Sequence, residues 1–299
     1  MSRPVSEISL TARSSRGKLA EARDYFLEQG FGFERIVLEL IGRKSRAVIY
    51  GANRSEIRRL YSCFSKKPLS GFRLDFRAIP ESEWRYAWQR TYRRMKIPGG
   101  WELIPAWQAK ASDRSEPKAI LLDPKSSFGT GLHETTRMML KTMRVFRGRL
   151  SSFLDLGTGS GILSVAAYRL GARTIVAIDQ EQEAVRAAEK NLRRNGCRTG
   201  KVFQGDLRTV NLPGCYDLVA ANLFENLLTE ASQKILATVN EGGFLLVSGV
   251  LKQHAGRFRA CFRPKGFREI QVIRGRSWCG MLYRRKKKGD SLSNRLFSL

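Results

Sequence analysis

Apolar and polar positions near the N-terminus follow two periods in turn. "SEISLTA", residues 6 to 12, alternates as a half-buried strand does, and residues 17 to 29 carry apolar side chains at helical spacing. "FERIVLELI" and "SRAVIYG" read as two strands joined at Gly42, followed by a helix over about 53 to 65 and a strand in "FRLDFRAI". The order βαββαβ predicts a ferredoxin-like α+β domain over residues 1–80, four antiparallel strands with two helices on one face. It has no histidine and no glycine-rich phosphate loop, so the domain is expected to recognise a substrate rather than to catalyse.

Residues 81–118 read as a linker helix and connecting segment. Trp84, Trp88 and Tyr92 recur every four residues, with Arg85, Arg90, Arg93, Arg94 and Lys96 around them, and Pro98, Gly99 and Gly100 are expected to end the helix. The spacing is that of an aromatic stripe packing against a domain; interleaved aromatic and basic residues also suit nucleic acid. From residue 152 the pattern becomes strand 152–156, helix 161–170, strand 174–178, helix 182–194, strands 201–204 and 217–222, helix 225–239 and strand 243–248. Alternation of this kind predicts a doubly wound, largely parallel α/β sheet. "GFREIQVIRGRSWCGMLYRRKKK" reads as two antiparallel closing strands with a basic run, and residues 289–299 as a polar, disordered tail.

Composition narrows the classes. A length of 299 residues favours two domains. Cys63, Cys197, Cys215, Cys261 and Cys279 form no C-x-x-C pair, so neither a disulfide framework nor a metal site is expected, and a reducing cytoplasm fits. No apolar run is long enough to span a membrane, and the N-terminus lacks the apolar block of a signal peptide. Lys plus Arg number 54 against 27 Asp plus Glu, a formal charge of +27. Such a surface attracts polyanions, with RNA or a ribonucleoprotein the natural partner; spread along the chain as it is, it also reads as a general solvated surface.

The densest chemical signal is "FLDLGTGSGILSVAAYRLGARTIVAID", residues 153 to 179. Gly157, Gly159 and Gly161 let the backbone turn tightly and approach a ligand, while the helix behind them offers unpaired N–H groups. Ile162 follows Gly161, so the third glycine comes one position early for the dinucleotide fingerprint. "D-L-G-T-G-S-G", from Asp155 to Gly161, followed by Asp179 at a strand end, resembles motif I and the ribose acid of class I methyltransferases that use S-adenosylmethionine. The resemblance implies that Asp155, the three glycines and Asp179 hold this cofactor, Asp179 through the ribose hydroxyls, and that Asp206 in "QGDL" meets the adenine amino group.

Two further segments sharpen the assignment. "LLDPKSSFGTGLHETTRMML", residues 121 to 140, carries Phe128, Gly129, Thr130, Gly131, His133, Thr135 and Thr136, and "DLVAANLFENLL" ends a strand at Asn222. With "W-R-Y-A-W" upstream and "GGFLLVSGVL" downstream, the chain resembles the bacterial PrmA family, methyltransferases of the large-subunit ribosomal protein L-eleven. The resemblance covers nearly the whole chain, and "F-G-T-G-L-H-E-T-T" is its most specific element; the family commonly reads A-F-G-T-G-x-H-P-T-T, with Ser127 and Glu134 here at the first and eighth places.

It implies a seven-stranded Rossmann-like catalytic domain over 119–288, with Thr136, Gly157, Asp179 and Asn222 as cofactor contacts. Asn222, His133 and Phe128 are the expected catalytic residues, the acceptor being a lysine or N-terminal amine of the ribosomal protein. His133 reads equally as a helix-start residue satisfied by its own backbone. A cytoplasmic monomer touching rRNA through its basic surface is expected. The competing readings are an RNA methyltransferase, favoured by charge, and a non-catalytic ribosome-binding module on the same fold.

Overall fold

In the computed structural model the described residues are 5–13, 16–29, 36–41, 43–50, 54–66, 68–79, 93–123, 131, 133–262 and 266–287. They divide into two compact units, Met1–Arg93 and Arg94–Leu299.

Unit 1 runs β1 (Val5–Arg13), α1 (Arg16–Glu28), β2 (Ile36–Ile41), β3 (Lys44–Tyr50), α2 (Arg54–Lys66) and β4 (Phe72–Ile79). The strands form one antiparallel sheet in the order β2-β3-β1-β4, as the βαββαβ pattern predicts. Alternation sorts its faces: Ile8, Leu10, Ala47 and Ile49 bury against Ala22, Phe26 and Leu60 of the two helices. The intervening positions, including Thr11, Arg13, Lys44 and Arg46, therefore lie on the other face.

Unit 2 opens with a small sheet, β5 (Met95–Ile97), β6 (Trp101–Pro105) and β7 (Ala119–Leu122), in that order. Here the helix expected to run to Pro98 is corrected: Met95–Ile97 pairs antiparallel with β6. Pro98 to Gly100 is a hairpin turn, in which Gly99 at φ 87° and Gly100 at φ 70° take the left-handed conformation other residues resist. Trp101 explains the preference, since it is 1% exposed and donates its indole N–H to Leu140 O at 2.9 Å under the Arg144 guanidinium, burial a continuing helix would not provide. Trp84, Trp88 and Tyr92 lie outside the described residues, as do Phe128 and the tail 289–299.

The large sheet has the order β10-β9-β8-β11-β12-β14-β13, built from β8 (Ser152–Leu156), β9 (Thr174–Asp179), β10 (Lys201–Gln204), β11 (Tyr216–Asn222), β12 (Val239–Leu251), β13 (Phe267–Arg274) and β14 (Trp278–Arg285). The first five are mutually parallel, and β14 runs against both its neighbours. Its helices are α3 (Glu134–Met143), α4 (Ile162–Leu170), α5 (Gln182–Arg194), α6 (Glu225–Glu230), α7 (Ser232–Ala237) and α8 (Ala255–Cys261). Central strands covered on both sides read as continuous apolar runs, and Leu154, Leu156, Val219, Ala221, Leu245 and Val247 are buried accordingly. The single helix expected over 225–239 is broken at Ala231, φ −88° and ψ 5°, which ends α6 and begins α7.

Candidate functional site

Parallel strands present their carboxyl ends along one edge, and loops there meet at the point where strand order reverses between β8 and β11. The turn leaving β8 uses three left-handed glycines, Gly157 at φ 71°, Gly159 at 53° and Gly161 at 79°. Gly157 and Thr158 donate their N–H groups to Ile178 O on β9, and Gly161 N–H returns to Thr158 O at 2.9 Å. Space demands glycine as much as φ does: a Cβ on Gly161 would lie 2.9 Å from the Ala188 backbone, and one on Gly157 would overlap the Leu223 side chain. Gly161 caps α4 without a side-chain bond, leaving a helix N-terminus behind a bare loop, a cradle suited to a ligand's polar groups.

Asp155 lies beneath this loop, 1% exposed. Its Oδ2 accepts Thr158 Oγ1–H at 2.8 Å, Ser164 Oγ–H at 2.6 Å and Ser164 N–H at 3.1 Å. Burial pushes its pKa up to about 6 although those bonds oppose the shift. Its Oδ1 is buried with no protein partner among the described residues. Asp179 ends β9, half-buried, and clamps two loops: Oδ2 accepts Gly159 N–H at 2.8 Å and Oδ1 accepts Glu181 N–H at 3.0 Å. A carboxylate has about four acceptor positions, so lone pairs remain for two hydroxyls.

Asp206 follows β10, with Oδ1 accepting Arg208 N–H at 2.9 Å. The Arg208 guanidinium reaches both Asp206 and Glu230, tying that loop to α6.

The remaining expected residues arrive from distant segments. Asn222 ends β11 and donates Nδ2–H to Thr136 Oγ1 at 3.4 Å, across 86 positions of sequence. Its neighbour Leu223 donates N–H to Ser248 O and lies over Gly249, φ 98°, where a Cβ would collide with the Leu223 carbonyl. Phe224 is 71% exposed at the start of α6, on the rim beside Asn222. His133 caps α3, its Nδ1 facing Thr135 Oγ1 at 2.7 Å and accepting Thr135 N–H at 3.4 Å, while its ring packs edge-on against Trp278 at 5.4 Å.

Three supports escaped the pattern. Asn191 Nδ2–H holds Ser160 O of the glycine loop at 2.8 Å, and Asn191 Oδ1 takes Asp123 N–H at 3.0 Å. Asn195, which caps the C-terminus of α5, exchanges bonds of 2.9 and 2.7 Å with the Leu121 backbone, so two buried amides at the end of α5 join β7 to the loop. Glu134, at the family's proline position, accepts N–H bonds from Arg276 and Ser277 in the β13–β14 turn. Polar residues at i and i+4 on the apolar side of an amphipathic helix were the available signal for the two asparagines. Among the described residues no cluster of three metal-ligating side chains occurs.

The model of the family described as ribosomal protein L11 methyltransferase (PrmA) matches residues 17–286. A protein named ribosomal protein L11 methyltransferase from Staphylococcus aureus strain MRSA252 is 32% identical over 206 residues, 67% of this chain and 64% of that relative. The corresponding protein of strain JH1 is 31% identical over the same extent. The matched stretch thus spans somewhat less than two thirds of these relatives' own length. A crystal structure described as a ribosomal protein L11 methylase from Lactobacillus delbrueckii subsp. bulgaricus superposes with a TM-score of 0.59 at 27% identity, covering 65% of this chain and all of that one.

Proposed function

The chain belongs to the ribosomal protein L11 methyltransferase family, and on that premise we propose that it transfers methyl groups from S-adenosylmethionine to lysine or N-terminal amines of that ribosomal protein. One arrangement carries the reading: Asn222 meets Thr136 while the adjoining Leu223 packs on Gly157, so the acceptor loop and the glycine turn share one edge of the sheet. The bare left-handed turn and the clamped carboxylate fit the cofactor. Asp179 would receive its ribose hydroxyls, Asp206 its adenine amino group, and the Gly157–Gly161 turn its amino-acid portion, with Asp155 acting through the loop it braces. When bound, the cofactor supplies an electrophilic methyl on a sulfonium.

The chain's own task is positioning. A free lysine amine titrates near pH 10.4, so it must lose a proton to water or a neighbour before it attacks. The Asn222 amide oxygen can accept a hydrogen bond from the incoming nitrogen and hold it in line, but an amide does not take its proton. Phe224 and Leu223 supply apolar walls that exclude water from the acceptor's path. Thr136 holds Asn222 in place; His133 starts the helix that carries Thr136, and Phe128, five positions earlier in sequence, completes the proposed catalytic set. Unit 1 serves to find the ribosomal protein, and the basic surface to touch rRNA. No helix among the described residues is long and apolar enough to cross a membrane, and a monomer acting in the cytoplasm completes the proposal.

The test is incubation with methyl-labelled S-adenosylmethionine and separated large-subunit proteins and rRNA. Label in the L11 protein, resolved to amines by mass spectrometry, is expected; label confined to RNA would favour the RNA methyltransferase reading, and none in either would favour a non-catalytic module.

A further inference from the structure

At one end of the unit 1 sheet lies a groove of about 640 Å3, lined by Thr11, Arg13, Lys44, Arg46, Phe72 and Arg73, with Asp75 at its side. Arg46 on β3 and Arg73 on β4 both stand opposite Thr11 of β1, and Arg13 stands opposite Lys44. Ile8, Leu10, Ala47, Ile49 and Leu74 face the helices, so alternation sends all four cations to the other face. Strands about 4.8 Å apart and about 6.7 Å per two residues place Arg13 and Lys44 roughly 5 Å apart and spread the four positions over roughly 12 Å.

Among the described pairs, Asp75 meets Arg73 at 2.8 Å, with that arginine still 82% exposed. Lys18 on α1 adds no free charge here, its Nζ being paired with Glu21 at 2.9 Å, bonded to Ser70 O at 2.9 Å and 5.0 Å from the Phe72 ring centre. Spread over this span, the four cations do not all converge on one anion as a bidentate guanidinium fork does. They match a partner that repeats negative charge at regular intervals.

We infer that this groove docks the sugar-phosphate backbone of RNA, and the inference rests on the proposed ribosomal target, since RNA is the polyanion that surrounds a ribosomal protein. Binding there draws on release of condensed counterions and weakens steeply with salt. It reads no sequence, because phosphate contacts fix register and orientation only. The groove gives a place to part of the excess of 54 basic over 27 acidic residues.

The test uses the full chain, without methyl donor, titrated into a fluorescein-labelled RNA hairpin over a range of salt concentrations. The double variant R46E/R73E should bind at least about tenfold more weakly, and its slope of log affinity against log salt should fall by about 1.5 to 2. A control pair on α5, R186E/K190E, should lose less than about threefold by removing only general charge. If a circular-dichroism melt finds the reversed pair less stable, R46Q/R73Q is read in its place, with the same order of effects. Equal losses for groove and control pairs, no loss at the groove, or displacement by poly-glutamate as effective as by unlabelled RNA would overturn the inference. With no methyl donor present, failure here leaves the methyl-transfer reading standing, and failure of label incorporation leaves the RNA result standing.

Discussion

Asp217 and Asp155 stand on the paired strands β11 and β8, at opposite edges of one sheet. Asp217, at the amino edge, accepts Ser151 N–H at 3.1 Å and Ser152 N–H at 2.9 Å through Oδ2, and Asn240 Nδ2–H at 3.0 Å through Oδ1. Burial pushes its pKa up, but the bonds from Asn240, Ser152 and Ser151 outweigh it and hold the carboxyl below the usual aspartate range. Asp155, towards the carboxyl edge, gathers three bonds on one oxygen and none on the other, and its pKa rises to about 6. Asp217 is thus satisfied on both oxygens. The carboxyl edge retains unmet acceptor capacity at the buried Asp155 and open lone pairs at Asp179, and in the proposed function the latter receive the ribose hydroxyls.

The largest break in this contrast is expected from Asp179→Ala. Two charge-assisted ribose bonds, each worth about 1.5 to 3 kcal/mol, should disappear, so cofactor affinity in a calorimetric titration should drop by more than about a hundredfold, with the fold retained and the melting temperature lowered by loss of the acceptor for Gly159 and Glu181 N–H. Unchanged affinity would remove Asp179 from the cofactor site.

Asp155→Asn sharpens the same contrast through pH. The native carboxyl keeps its proton from the unfolded value of 3.8 up to about 6. The native state therefore binds more protons than the unfolded state over that window, and this group's contribution to stability falls as pH rises through it. A shift of this size corresponds to roughly 3 kcal/mol at neutral pH, as an order of magnitude. Denaturant titrations at pH 4 and pH 7 should show the variant losing this downward contribution relative to the parent. Parallel pH profiles would contradict the assignment.

Asp217→Ala should cost about 2 kcal/mol by leaving three donors without their acceptor, while cofactor affinity stays at the parental value. A loss of affinity comparable to that of Asp179→Ala would erase the distinction between the edges. The smallest change expected is from Asn222→Ala. It should lower turnover by roughly tenfold, about 1.4 kcal/mol, with little effect on cofactor affinity if the amide orients the acceptor. Equal losses in both would assign Asn222 to cofactor holding.

The parts that could be read from the chain are those written in local patterns. Gly157, Gly159 and Gly161 announced a turn that only glycine tolerates, Asp179 stood at the end of an apolar strand, and unit 1 followed from alternation in "SEISLTA" and its successors. Thr136 and Asn222 came from resemblance, and their meeting across 86 positions is a tertiary fact no window holds. Met95–Ile97 was misread because basic and aromatic residues at helical spacing precede it. Its strand depends on Trp101 finding Leu140 O, a partner 39 residues away. Asn191 reads as an ordinary helix residue and Asn195 as the residue just past the helix; their amides become buried struts only once β7 and the glycine loop lie against α5.

Amide hydrogen exchange of the full chain with and without S-adenosylmethionine tests the contrast between the two edges most directly. Protection is expected to concentrate in residues 155–164, 179–182, 205–208 and 222–226, the loops of the carboxyl edge. Residues 149–152 and 239–244, around Asp217, should exchange as before. Protection centred on the Asp217 edge, or none at millimolar cofactor, would contradict the account.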